Sequence, residues 1–464
     1  MSSDQSLDRD GLADIKIAGE KPLSWFDVSA MGTGEMLFTA GWAWVVYIGS
    51  LYGTKWTLIA FFGGALVIGM AWWLYREMIT AVPEPGSLQS YAREAGVFSI
   101  GTAYLILYAP VYGAFMWLEL FVMTGLLSQL FPEAPSAIWP YVVLVPVVLI
   151  NLLGHQITGK LQSILVVITL IGDILLAILV WTLLFDSNAW VLNWDSPTPM
   201  DILQLLTAIG LWIGIMAGVM EVQQVLVDEW RDFARSRDVG LISAAGQLWA
   251  RQIPLAIGLF GALPLTALIL MPVPTVGAVE SRIGQGPIFY LAISMMLVAT
   301  FTTLSVFFMG MSKIVALYAQ QGALPRVFGR YSSRSVPWVA IVILALFVLV
   351  GAYWTDFAFV VHVLSVWSVT LYFFVALIYL LMRRRKDLDR PIVSRFGGVV
   401  GWALLAYTGA IGYAMFKADP KAFVIWFIVV AVVVAYDKFV VPRTKRGAFY
   451  RKQVLRRRTS ADRL

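Results

Sequence analysis

Four acidic residues lie within long apolar stretches of the sequence: Glu35, Glu119, Asp173 and Glu221. If these stretches cross a membrane, an ionised side chain at mid-depth costs about 2.5–3.5 kcal/mol on insertion scales. No basic residue is expected at comparable depth to neutralise these acids. Each acid is therefore predicted to be protonated, to face water, or to pair with a cation that arrives from outside.

Aromatic side chains accompany these acids at helical spacing. Tyr108 and Tyr112 are four residues apart and Glu119 follows seven residues later, so the three share one face of a helix. The second group is Trp212 and Met216, which precede Glu221. Carboxylates and aromatic faces together bind ammonium groups, at about 0.5–2 kcal/mol for each cation–π contact. The alternative for any one ring is ordinary interior packing.

Other kinds of chemistry have little support in the residue types. The chain has no cysteine, which excludes disulfides, thiolate catalysis and cysteine-ligated metals. The two histidines, His155 and His362, are too few for a histidine-based metal site. We therefore expect neither an enzyme nor a metal or other cofactor. For His362, a hydrogen bond to a neighbouring helix and a role as a proton relay both stay open.

The elements that must position these residues are membrane helices. Of the 464 residues, 59% are hydrophobic and 13% are charged, whereas a soluble domain carries about 25% charged residues. Successive apolar runs have spanning length, which is about 20 residues. They predict an all-α integral membrane protein with twelve transmembrane helices, near 27–51, 55–80, 97–130, 138–153, 161–185, 201–227, 246–271, 287–316, 337–354, 357–382, 398–416 and 421–441.

The distribution of Lys and Arg predicts the orientation. With both termini cytoplasmic, 30 of the 34 Lys and Arg residues lie on the inner side, and the outer loops keep only Lys55, Arg282, Lys417 and Lys421. We therefore expect a multi-pass protein of the cell (plasma or inner) membrane with cytoplasmic tails at 1–24 and 442–464. The first tail lacks the features of a cleaved signal peptide. The basic second tail is predicted to contact membrane lipid and not nucleic acid.

Three motifs give the sequence a family resemblance. Tyr75-Arg76-Glu77 is followed by Pro83, Gly86 and Tyr91, and Lys313 is followed by Ala319-Gln320-Gln321-Gly322-Ala323-Leu324-Pro325-Arg326, Pro337 and Ala340. The third motif is Gly32-Thr33-Gly34 in the first span. In order and spacing they resemble motifs of the amino acid–polyamine–organocation (APC) superfamily of transporters, over roughly residues 25–445. Ser87, Gln89 and Lys313 depart from the usual family pattern.

The resemblance implies a 5+5 inverted repeat plus two additional helices. Its core would comprise 25–210 (spans one to five) and 201–382 (spans six to ten), followed by spans eleven and twelve at 397–441. Spans one and six would break at mid-membrane and hold the substrate between them. Glycines at corresponding positions of these two spans indicate a midplane site; they are Gly32, Gly34, Gly214 and Gly218. The alternative for Gly210, Gly214 and Gly218 is a close helix contact.

Glu35 distinguishes this chain from many relatives, which have an aliphatic residue after the Gly-x-Gly. The family's amino acid carriers hold the substrate carboxylate on free amides of this segment, and an ionised Glu35 would repel it. The resemblance therefore implies a secondary active transporter of a small organic cation: an amine, a polyamine or a cationic amino acid. The alternatives are a neutral amino acid symporter with protonated Glu35, and a substrate sensor on the same fold that does not transport.

The coupling ion stays open between a proton, sodium and none. Candidates for proton coupling are Glu35, Glu119, Glu221 and His362. Thr169, where some relatives carry Lys, and Thr302 and Thr303 are candidates for a sodium site, since hydroxyls and carbonyls suit a hard cation. These hydroxyls also commonly bond back to their own helix. At the inner end of span six, Asp228 and Glu229 are expected either to pair with Arg76 or Arg93 or to form a solvated charged face.

Overall fold

The structure is a computed structural model that describes residues 23–35, 39–216, 218–332, 334, 336–353, 357–445 and 447–448. Within these ranges the chain forms helices and no β-strand, apart from an isolated parallel bridge between Leu23 and Trp230. The predicted all-helical class is confirmed for this part of the chain.

Eighteen α-helices occur in the described ranges. They are α1 (Trp25–Glu35), α2 (Ala40–Ala81), α3 (Leu88–Ala95), α4 (Phe98–Leu130), α5 (Trp139–Asn151), α6 (His155–Leu179), α7 (Ser187–Trp194), α8 (Ile202–Met216), α9 (Glu221–Val225), α10 (Phe233–Arg235), α11 (Leu241–Ala262), α12 (Leu265–Leu268), α13 (Pro274–Ile283), α14 (Pro287–Gln320), α15 (Trp338–Gly351), α16 (Phe357–Arg383), α17 (Gly397–Ala418) and α18 (Pro420–Ala435). Short 3-10 or π-helical turns follow several of them, including Val180–Leu184 after α6, Arg326–Gly329 after α14 and Tyr436–Val440 after α18.

Seven helical segments of the described chain are long and apolar enough to cross a membrane: Ala40–Ala81, Phe98–Leu130, Ile157–Leu184, Pro287–Gln320, Phe357–Arg383, Gly397–Ala418 and Pro420–Arg443. Four shorter apolar helices accompany them, at Ser136–Asn151, Ile202–Met216, Ile253–Ala262 and Trp338–Gly351. These helix lengths do not establish how many times the chain crosses the membrane, so the number of twelve spans stays a prediction.

Helix α2 contains two predicted spans in one run of 42 residues. A straight helix of this length would be about twice as long as the hydrocarbon core is thick. Gly53 interrupts it with φ = 72° and ψ = 167°, a conformation that residues with a Cβ rarely adopt. A Cβ there would also lie 2.4 Å from the carbonyl oxygen of Asp195. Gly53 therefore separates the end of the first predicted span from the second.

The first and sixth predicted spans are each divided between two helices. In the first, α1 ends at Glu35 and α2 begins at Ala40; residues 36–38 are not among those described. In the sixth, α8 ends at Met216 and α9 begins at Glu221. Helix α1 packs against α6, α11 and α14, whereas α2 packs against α8, α16 and α17. The two breaks lie inside the bundle, where Glu35 and Glu221 are buried.

Candidate functional site

Gly218, in the turn between α8 and α9, brings three predicted site residues together. Its φ of 101° is in the left-handed region that favours glycine. A Cβ at this position would lie 1.7 Å from Tyr112 Oη and 2.5 Å from Glu35 Oε1. The end of α1, the middle of α4 and the break between α8 and α9 therefore meet around the Glu35 carboxylate.

A cluster of aromatic rings adjoins this point. Tyr108 and Tyr112 stack with their ring centroids 5.2 Å apart and an interplanar angle of 9°. The indole of Trp367, from α16, stands edge-on to both tyrosines at 5.2 and 5.5 Å. Phe115 continues the cluster 5.6 Å from Tyr112. The sequence pattern predicted the two tyrosines. It did not assign Trp367 or Phe115, whose only signal was helical spacing in apolar runs.

Several polar atoms in this cluster are buried without a hydrogen-bond partner among the described residues. They are both carboxylate oxygens of Glu35, the hydroxyls of Tyr108, Tyr112 and Tyr372, and Nε1 of Trp367. A buried polar group without a partner costs about 1–3 kcal/mol. Because these atoms come from α1, α4 and α16 and surround one point, they are the features expected of a polar ligand site. We call these residues, with Gly218, the central cluster.

Glu221 lies at the first residue of α9 and is buried. The hydroxyl of Tyr75 donates to its Oε1 at 3.0 Å, and the Met220 amide donates to Oε2 at 3.3 Å. The neighbouring Tyr91 hydroxyl donates to Gln224 Oε1 at 2.8 Å. Tyr75 and Tyr91 belong to the first of the three sequence motifs. That motif therefore supplies hydrogen bonds to α9, including one to Glu221.

Glu119, from α4, lies against the start of α2, whereas Glu35 lies at the end of α1. The backbone amides of Thr39 and Ala40, at the start of α2, donate to its two carboxylate oxygens at 3.0 and 2.9 Å. The hydroxyl of Thr300, from α14, also donates to Glu119. Glu119 therefore caps the positive end of α2. The sequence pattern predicted an acid on the substrate face of α4 and gave no signal for this cap.

The Gly32-Thr33-Gly34 segment is surrounded by three glutamines from different helices. A Cβ at Gly32 would lie 1.8 Å from Gln223 Nε2, and one at Gly34 would lie 1.8 Å from Gln162 Nε2. The Thr33 hydroxyl donates to Gln247 Oε1 at 2.6 Å. The two glycines therefore permit close contacts with α9 and α6. Sequence reasoning did not assign these glutamines.

Trp212 and Met216 lie on the face of α8 that packs against α2. The Trp212 indole donates to the Thr57 carbonyl at 2.8 Å and stands edge-on to Phe61 at 5.0 Å. A Cβ at Gly64 of α2 would lie 3.3 Å from Trp212 Cβ and 3.5 Å from Met216 Sδ. These two predicted site residues are therefore found in a helix interface.

Two further glycines of α8 also contact other helices. A Cβ at Gly214 would lie 2.5 Å from Ser365 Oγ on α16, and one at Gly210 would lie 2.4 Å from Met415 Sδ on α17. Both glycines therefore permit close approach of a neighbouring helix, as the packing alternative predicted.

The threonines predicted for sodium are engaged in internal hydrogen bonds. Thr169 and Thr302 donate to carbonyls of their own helices, at Leu165 and Ala299. Thr303 donates to the Gly34 carbonyl at 2.8 Å and so contacts the end of α1. Within the described ranges no group of three or more His, Asp or Glu side chains is arranged to hold a metal ion.

His362 lies apart from the central cluster. Its Nδ1 is 2.9 Å from Asp419 Oδ2, in the turn between α17 and α18, and its Nε2 is 3.3 Å from the Tyr47 hydroxyl. These contacts are those of a residue that connects neighbouring helices.

Asp173 lines a lateral cavity of about 350 Å³ between α6 and α11, together with Ala250. The expectation that no basic residue lies at comparable depth to the four acids stays a prediction.

The charged residues after α9 pair differently from the expectation. Lys313 Nζ contacts Asp228 Oδ1 at 2.7 Å and Glu229 Oε1 at 2.8 Å. Arg76 instead pairs with Asp238 at 2.8 Å, and Arg93 pairs with Glu84 and Glu94. Of the two alternatives left open, the described residues do not show the pairing with Arg76 or Arg93, and the acids instead pair with Lys313 of α14. Backbone hydrogen bonds also join Leu23 to Glu229 and Arg231.

Comparison with known proteins identifies the family. A family model described as "Amino acid permease" matches residues 23–451. No curated protein matches the chain at a significant level. The family match covers both helix breaks, the central cluster and all three sequence motifs. The chain therefore belongs to the amino acid permease family of the APC superfamily, and it is a multi-pass membrane protein and secondary transporter rather than an enzyme.

Proposed function

We propose that this transporter moves a small organic cation (an amine, a polyamine or a cationic amino acid) across the cell membrane by alternating access. The main support is Glu35, whose buried carboxylate has no hydrogen-bond partner among the described residues and lies against Gly218 and Tyr112. An ammonium group would pair with this carboxylate and face the rings of Tyr108 and Trp367. The family implies a substrate of the amino-acid type, and such a substrate with a cationic group would both pair with Glu35 and contact the aromatic rings.

The charged residues around the two helix breaks favour a cationic substrate over an anionic one. Residues 25–54, 97–130 and 201–230 contain no Lys, Arg or His. Glu119 occupies the amides of Thr39 and Ala40, so these donors at the positive end of α2 are not available to a substrate carboxylate. Glu221 likewise accepts the hydrogen bond of the Tyr75 hydroxyl, so this donor is also not available to a substrate carboxylate. The proposed substrate therefore presents its positive group to the central cluster.

Proton coupling through Glu35 is the second part of the proposal. In a cluster closed from water, a carboxyl group keeps its proton when no cation is present and releases it when an ammonium binds. A monovalent cation entering a cell with a negative interior already gains about 2.3 kcal/mol per 100 mV, so uniport is a competing outcome. Sodium has less support, because Thr169 and Thr302 donate to their own helices.

The proposed architecture is the 5+5 inverted repeat with both termini in the cytoplasm. The two divided helices, α1–α2 and α8–α9, are its corresponding elements in the two halves. The charge distribution supports the orientation, since Arg383 ends α16 and Arg384, Arg385 and Lys386 follow it on the proposed inner side. Alternating access then requires the groups around Lys313 to separate when the site opens to the cytoplasm.

Neutral amino acid symport is the second candidate, and one observation favours it. Glu35 is surrounded by aromatic rings and has no cationic partner among the described residues, as expected for a carboxyl that stays protonated. In that case the substrate ammonium would bind elsewhere and the proton would remain on Glu35 through the cycle.

An uptake screen in proteoliposomes discriminates between these candidates. Labelled putrescine, lysine, leucine and glutamate are offered to purified full-length protein under an inside-negative potential, with protein-free liposomes as the control. We expect saturable uptake of putrescine or lysine, inhibited by other amines. Uptake of leucine alone would support neutral symport, and uptake of glutamate would contradict the cation proposal.

A further inference from the structure

Six basic residues from two distant parts of the chain are exposed at one end of the helix bundle. Three follow α14: Arg326, Arg330 and Arg334. Three follow α18: Lys438, Arg443 and Lys445. The connecting sequences 321–337 and 436–445 contain one acid, Asp437, and it is buried. The exposed charges of these two segments are therefore all positive; we call these six residues the basic patch.

Hydrogen bonds hold the two segments together. The Tyr436 hydroxyl donates to the Ala323 carbonyl at 2.7 Å, and the Thr444 hydroxyl, which donates to the Val441 carbonyl at 2.7 Å, also lies 3.3 Å from the Gly322 carbonyl. Arg443 and Lys445 flank Thr444 in the sequence. The segment that follows α18 is thereby fixed against the loop that follows α14, so the positive charges of both segments are presented on one surface.

Four charges of the basic patch are not used in ion pairs within the described part of the fold. Among the described residues, Arg330, Arg334, Arg443 and Lys445 form no ion pair, in contrast to Lys313, Arg76 and Arg93. The surface also lies where membrane helices begin and end, next to α14, α15 and α18. Exposed aromatic residues lie at the same level: Tyr331, Trp338 and Phe439, which are 42%, 43% and 58% exposed. Aromatic residues with basic neighbours at helix ends are typical of a lipid headgroup region.

We propose that the basic patch is a composite binding site for the headgroups of anionic phospholipids. The phosphate would lie between the two segments, with charge-assisted hydrogen bonds from arginines of both, and the acyl chains would run beside the apolar faces of α15 and α18. The site would fix the loop after α14, the helix that also carries Lys313. This inference is independent of the identity of the transported substrate.

The test uses full-length protein in nanodiscs of phosphatidylcholine, with phosphatidylglycerol titrated in and its binding followed by lipid-resolved mass spectrometry. The double variant Arg330→Gln/Arg334→Gln removes two charges of the patch. Arg384→Gln/Lys386→Gln removes two exposed charges from the loop after α16 and is the matched control. We expect about thirtyfold weaker phosphatidylglycerol binding in the patch variant, at about fivefold for each charge, and a small change in the control. Equal losses in both variants would mean only diffuse attraction to the membrane and would overturn the site.

A further substitution tests whether the site is composite. Tyr436→Phe retains every charge but removes the 2.7 Å hydrogen bond between the two segments. We expect severalfold weaker phosphatidylglycerol binding at an unchanged melting temperature in detergent. Unchanged binding would show that the segments act separately and contradict the composite site. Competition by soluble glycerol phosphate at similar concentration would reassign the patch to free phosphates.

Discussion

The Cα of Gly218 faces the carboxylate of Glu35 so closely that a methyl group on it would come within 2.5 Å of Oε1. Gly218 belongs to the break between α8 and α9, and Glu35 ends α1. The contact therefore brings the two interrupted spans together, with the Tyr112 hydroxyl of α4 at the same point. A ligand of the central cluster would contact both breaks at once, because its walls come from both.

Gly218→Ala should abolish transport. The new methyl group would overlap Tyr112 Oη and would require a left-handed backbone conformation that costs alanine about 1–3 kcal/mol. Gly69→Ala is the matched control, because a Cβ there has no neighbour within 4 Å. We expect normal uptake by Gly69→Ala and none by Gly218→Ala at equal amounts of membrane-inserted protein. Normal uptake by Gly218→Ala would contradict the assigned site.

Glu35→Gln should retain substrate exchange and lose the response to a pH gradient. The amide has nearly the shape of the carboxyl group, but it cannot release a proton when the substrate binds. The measurement is uptake into proteoliposomes with an imposed pH gradient, clamped at zero potential. A Glu35→Gln protein that still follows the gradient would move the coupling role to Glu119, Glu221 or His362.

Glu119→Gln and Glu221→Gln should have different effects. Glu119 caps α2, and an amide can offer only one acceptor to the amides of Thr39 and Ala40. We therefore expect Glu119→Gln to lose about 1.5–3 kcal/mol of stability, seen as a lower melting temperature. Glu221→Gln should mainly weaken substrate binding, about ten- to two-hundredfold. The same pattern of loss in both variants would mean that the two acids share one role.

The Asp419–His362 contact should make stability depend on pH. Partial burial alone would raise the pKa of Asp419, but hydrogen bonds from His362 and from the Ala422 and Lys421 amides lower it below its ordinary value. The stabilisation is therefore present above the unfolded pKa of about 3.9 and is lost as the pH falls through the lower folded value.

Asp419→Asn tests this contribution. It should lose about 1 kcal/mol of stability near neutral pH and nothing once the carboxyl is protonated. Melting curves by tryptophan fluorescence across this range provide the measurement, with the exposed Glu133→Gln as the control. A constant difference between Asp419→Asn and the parent at all pH values would contradict the assignment.

The sequence was sufficient for the residues whose role depends on their type and on helical spacing. Glu35, Tyr108, Tyr112 and Gly218 were predicted as one site, and their side chains or Cα atoms lie together. The glycines of the third motif, Gly32 and Gly34, likewise lie at the end of α1. These features are local, because a break and a helical face are both properties of neighbouring residues in the chain.

The rest depends on how helices pack, which spacing along one helix does not determine. The cap formed by Glu119 requires the start of α2 to approach α4, and no pattern within α4 indicates this. Trp212 and Met216 have the right spacing but face α2. Lys313 was identified by its departure from a motif, but nothing in the spacing along α14 indicates that its partners are Asp228 and Glu229.

The separate attachments of α1 and α2 have a kinetic consequence. The described residues show five side-chain hydrogen bonds between α1 and its neighbours: Ser163 to Asp27, Ser29 to Ser243, Gln247 to Ser29, Thr33 to Gln247 and Thr303 to the Gly34 carbonyl. At about 0.5–1.5 kcal/mol each, breaking all five costs about 2.5–7.5 kcal/mol. Glu119 meanwhile keeps the start of α2 fixed. Displacing α1 requires these bonds to break, and helix movements of this kind occur on the microsecond-to-millisecond timescale. Substitutions at Ser243 or Gln247 would therefore change the turnover rate without any contact with the substrate.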